Sequence, residues 1–120
     1  MPYLKTKLKN DICRLLPAED LRFRLSNICI NGAKRGCSGH VTYLPTGRCI
    51  YVNTEPLLTN PSKIMFRFAK NEQDYTSSHS EFSAINLFTT QERLALDIYH
   101  HLTMPRAQIR SITRDTIQYP

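Results

Sequence analysis

The chain of 120 residues lacks several features that would have assigned it quickly. No apolar run approaches the roughly 20 residues that a membrane-spanning helix needs. The start, MPYLKTKLKND, has lysines but no apolar stretch behind them, so it does not read as a signal peptide. No membrane association is expected, and the expected compartment is the cytoplasm. No segment repeats and none is low in complexity. The cysteines do not come in paired C-x-x-C knuckles. No G-x-S-x-G elbow, P-loop or dinucleotide fingerprint occurs. Carboxylates are few and do not pair in a way that suggests acid–base chemistry.

What is present is unevenly placed charge. The net charge is +6, with residues 1–35 carrying eight basic groups against three acidic ones. Residues 36–70 carry four against one, residues 71–105 one against five, and residues 106–120 three against one. Such asymmetry steers a partner toward one face. Length and composition fit one domain, residues 1–104, followed by a basic tail over 105–120.

Leu4, Leu8, Ile12 and Leu15–Leu16 recur at helical spacing among lysines, and Pro17 closes the run. From Leu21 the period becomes two: Leu21, Phe23 and Leu25 alternate with Arg22 and Arg24, which predicts a strand to about Ile30. Asn31-Gly32 opens a basic loop through Lys34, Arg35 and Gly36. A hairpin follows, turning at Pro45–Gly47 with Leu44 opposite Arg48. Lys63–Ala69 predicts a fourth strand, and Lys70–Ser83 reads as an exposed loop. Thr89-Thr90-Gln91-Glu92 has the form of a capping box, with Leu94, Ile98 and Leu102 on one face of the helix behind it. The fold class is therefore α+β: an N-terminal helix, an antiparallel sheet of about four strands and a C-terminal helix (α-β-β-β-β-α), in two layers.

Four constellations bear on function. Cys29, Cys37, His40 and Cys49 are zinc-binding residue types. With Leu44 opposite Arg48, however, Cys49 faces Tyr43 and Cys37 faces Glu55, and His40 points away from both cysteines. The ligands scatter, so the thiols read as small buried apolar groups and neither metal nor cofactor is expected. Cysteine with histidine is also the minimum for nucleophilic catalysis, yet no local signature joins them, so the chain does not read as an enzyme. His100-His101 reads as the end of the second helix, facing its carbonyls. Phe23, Tyr43, Tyr51, Phe66 and Phe68 lie on strands, where aromatics either fill a core or stack bases. The last constellation is cationic. Arg22, Arg24, Lys34, Arg35, Arg48 and Arg67 form the expected contact surface, and Arg106, Arg110 and Arg114, four residues apart, form an auxiliary stripe. An acidic patch of Glu72, Asp74 and Glu81 is the counterpart.

The run RLSNICINGAKRGCSGHVTYLPTGRCIYVNTEP, followed by KIMFRFAKNEQDYTSS, resembles small accessory proteins of enterobacterial conjugative plasmids and related mobile elements. The resemblance covers about residues 20–80. Proteins of that sort blunt host defences, as anti-CRISPR and anti-restriction proteins do. It implies a small non-catalytic inhibitor that binds and blocks a host nucleic-acid-targeting defence complex, a CRISPR effector foremost. The alternative it leaves is an accessory protein that binds DNA or RNA through the basic loop and sheet edge. No functional residue is carried over by the resemblance.

Overall fold

The computed structural model describes residues 2–75 and 86–108. It is an α+β fold in which helices precede and follow an antiparallel sheet along the chain. Helix α1 spans Lys5–Cys13, and a 3-10 turn covers Ala18–Asp20. Strands β1 (Leu21–Ile30), β2 (Ala33–Tyr43), β3 (Arg48–Asn53), β4 (Ile64–Ala69) and β5 (Leu87–Thr89) pair in sequence order. Helix α2 spans Leu94–Thr103. None of the described helices is long and apolar enough to cross a membrane.

The core forms where both helices lie on one face of the sheet. Leu8 and Ile12 of α1 and Leu94, Ile98 and Leu102 of α2 are fully buried. They meet Val41, Ile50, Val52, Ile64, Phe66 and Phe68, which alternation sends to the same sheet face. Thr54 ties the N-terminus to this core. Its hydroxyl accepts from the Cys37 N–H at 2.8 Å and donates to the Tyr3 carbonyl.

Four expectations are corrected here. The basic loop after Ile30 is instead a two-residue turn. Asn31 and Gly32 both have positive φ, 52° and 79°, as the type I′ hairpin turn requires, and β2 begins at once at Ala33. The β2–β3 register is shifted by one from the expected pairing: Tyr43 opposes Arg48 and Thr42 opposes Cys49. Packing decides it, because this register sets Val41 against Ile50, both buried, whereas the other sends Ile50 to the wrong face. A short fifth strand, β5, was not expected. The capping box does not form either: α2 starts at Leu94 with no side-chain cap, and Thr89 ends β5. Buried Thr89 instead donates its hydroxyl to Asp97 inside the helix.

Candidate contact surfaces on the sheet

Antiparallel pairing arranges the second sheet face in cross-strand rows. One row runs Arg24, His40, Tyr51, Arg67; the next runs Arg22, Thr42, Cys49, Ala69. The segment 70–75 lies over these rows as a strap. Glu72 accepts from the Nε–H of Arg22, from the Nε–H of Arg24 at 3.2 Å and from the Thr42 hydroxyl at 3.1 Å. Desolvation pushes the Glu72 carboxyl up, but the hydrogen bonds from Arg22, Thr42 and Arg24 outweigh it and hold it below the usual carboxylate value. His40, wholly buried, donates from Nε2 to the Asp74 carbonyl at 2.8 Å. Its ring meets Tyr51 and Tyr75 with centroids 5.3 and 4.9 Å apart. Arg67, buried, stacks 4.4 Å from the Tyr51 centroid and donates to the Tyr75 carbonyl.

The expected contact residues therefore separate. Arg67 lies under the strap, so it is withdrawn from the contact surface. Arg48 is withdrawn too: its Nη1 donates to the carbonyls of His101, Leu102 and Met104 at 3.1, 3.1 and 2.6 Å, closing the C-terminus of α2. That is the task expected of His100-His101. His101 instead faces the sheet, edge-on to Phe66, with its Nδ1–H donating to the Asp97 carbonyl at 2.7 Å. Burial holds it below the usual histidine value. Of the acidic patch, Glu72 and Asp74 are bound into the strap, so they are not a free surface. Glu81, Arg110 and Arg114 lie outside the described residues. Arg106 opens a further helical turn after Pro105.

Arg22, Arg24, Lys34, Arg35 and Arg106 remain exposed. Lys34 and Arg35 sit on an arm. The β1–β2 pairing continues to Ile30 opposite Ala33, whereas β3 stops at Asn53, opposite Ser38. Ile28–Arg35 thus forms a two-stranded ribbon reaching about 10 Å past β3. Arg35 is the extra residue of a bulge, since Ile28 opposes Gly36 and Cys29 opposes Lys34. Asn31-Gly32 between alternating apolar residues was the sequence signal for this arm.

Comparison with known proteins finds no matching family model, no matching curated protein and no matching solved structure. The reading therefore depends on geometry.

Cys29 is exposed, as is Cys13, against the expectation of buried thiols, whereas Cys37 and Cys49 are buried and poorly placed for chemistry. Cys49 lies on the His40 face, not away from it as the expected register had placed it, and Cys37 faces the helices. Burial pushes Cys49 up to about 11 and also raises Cys37, so both stay protonated at neutral pH. Among the described residues no group of three or more His, Cys, Asp or Glu side chains could hold a metal ion. Of the aromatics, Phe23, Tyr43, Phe66 and Phe68 pack into or against the core, and only Tyr51 faces the strap.

Proposed function

We propose that this protein is a non-catalytic inhibitor from a mobile genetic element that binds and blocks a host nucleic-acid-targeting defence complex, a CRISPR effector foremost. The observation that carries the reading is the β1–β2 arm, a surface built for contact. Its tip contributes nothing to the core: Cys29 to Arg35 are all exposed. It combines an apolar residue, Ile30, 42% exposed, with the cations Lys34 and Arg35, for which no ion pair occurs among the described residues. A paired ribbon with a tight turn loses little freedom on docking. Apolar contact beside positive charge suits a protein groove with an acidic rim. The buried, protonated thiols of Cys37 and Cys49 support a binding role over a nucleophile at either of them.

A second reading has one observation in its favour. A two-stranded ribbon fits the DNA major groove, and the two cations at the tip suit phosphates. Direct binding of that kind falls steeply with salt, by close to one logarithmic slope unit per phosphate contact.

The test is capture from an enterobacterial lysate with active defence systems, with and without nuclease, using the wild type and a Lys34→Ala/Arg35→Ala variant. Both residues are exposed, so the variant folds. The expected result is nuclease-resistant capture of a defence complex that the variant loses by about tenfold or more. Undiminished capture by the variant rejects the arm. Capture abolished by nuclease selects the nucleic-acid reading.

A further inference from the structure

We propose that the outer edge of β1 is a docking site for an acidic, extended peptide segment, which adds to the sheet as a further strand. This does not depend on the target named above, and it concerns backbone rather than the arm's tip.

Strand β1 is the edge of the sheet, and no described strand pairs with its outer side. The Leu44 N–H donates to the Asp20 carbonyl at 2.8 Å, which fixes the pairing parity. Even-numbered residues of β1 then bond β2, and Phe23, Leu25 and Asn27 turn their N–H and C=O groups outward. Three donors and three acceptors, spaced every second residue, match an extended backbone.

Charge chooses the occupant. On the helix side the exposed Lys9 lies with Nζ 5.6 Å from the Phe23 ring centroid, and the exposed Lys5 binds Asn27 through its backbone N–H at 2.9 Å. On the strap side Arg22 and Arg24 leave 47% and 64% of their side chains exposed while sharing the single carboxylate of Glu72. Four cations against one carboxylate flank the edge on both sides, and β1 itself contains no acid. A second copy pairing through β1 would set arginines beside arginines, which opposes self-association. A nucleic acid would answer the cations but not the row of backbone groups. An extended peptide with alternating acids answers the backbone row and sets its acids on one side of the sheet, beside Lys5 and Lys9, whose positive charge is the less engaged by carboxylates.

The probe is an alternating Glu–Val peptide as long as β1, titrated into the isotope-labelled full chain, with amide shifts and hydrogen exchange recorded. The expected result is slowed exchange at Phe23, Leu25 and Asn27, lost with a Lys–Val peptide and weakened about tenfold by Lys5→Glu/Lys9→Glu. Leu25→Pro removes one outward donor without removing a β2 bond, and it should abolish the response. If that variant fails to fold, the lysine pair decides alone. Equal response to the Lys–Val peptide, no response at about 1 mM, or the same protection produced by a single-stranded oligonucleotide overturns the proposal. Self-association through β1 in sedimentation would overturn it as well. Lys34 and Arg35 take no part, so failure here leaves the arm experiment standing.

Discussion

Gly39 is where a single residue most constrains this sheet. Its φ is +140°, and a Cβ there would stand 1.9 Å from the Arg24 carbonyl oxygen. Backbone strain and the overlap act together, so Gly39→Ala should destabilise the fold by roughly 2–4 kcal/mol, read from urea unfolding. Loss of less than about 0.5 kcal/mol would mean that β1 and β2 part at little cost. Arg48 and Arg67 make the complementary point. In sequence they are strand arginines like Arg22 and Arg24, with nothing local to tell them apart. Their tasks come from what the chain later brings over them: the end of α2 for Arg48, the strap for Arg67.

Among the elements, α2 depends on a residue far away in sequence. Its last carbonyls have no partner within the helix, and the Arg48 guanidinium supplies one for two of them, His101 and Leu102, and for the Met104 carbonyl just past its end. Arg48→Ala should lower stability by about 2–3 kcal/mol, because charge-assisted bonds are lost in a half-buried place. Thermal unfolding should show it, and Arg48→Lys should recover only part, since the lysine side chain is one bond shorter and its ammonium falls short of the Nη1 position. Unchanged stability would mean that water satisfies the carbonyls as well. The two hairpins were legible to different degrees. The Asn31-Gly32 signal sufficed for a tight turn, yet the neighbouring Lys34, Arg35 and Gly36 drew the reading toward a loop. The Pro45–Gly47 turn stood out, but its register depends on how many residues close it. Only the burial of Val41 opposite Ile50 fixes that number.

Across the whole molecule, the strap and the sheet are held by groups that titrate in one direction. The folded carboxyl of Glu72 is depressed from its ordinary 4.5. It therefore adds stability above about pH 4.5, and that stability is lost as the pH falls through the folded value. Asp11 is also depressed, first by the hydrogen bond from Tyr3 and then by Lys7 and Arg14, against its own desolvation. Half-buried His101 is depressed below 6.5, so protonation of the unfolded chain weakens the fold as the pH drops past that point. Stability should fall steadily on the acid side. Glu72→Gln should be less stable than wild type at pH 7, and the gap should narrow as the pH falls below 4.5, seen as converging urea midpoints. A gap that stays constant with pH would remove Glu72's charge from the account.

The sequence by itself determined both helices, the first four strands in outline and the layer arrangement, because helical and alternating periods record which side of each element is apolar. It also marked the basic half of the chain, since charge is additive along the sequence. What surrounds each charge was decided only by the tertiary structure. The one-residue register shift moved Cys49 onto the His40 face, and the strap covered Arg67 and engaged Arg22 and Arg24. A register or a strap is settled by contacts between segments tens of residues apart, and no local pattern encodes these until the core has packed.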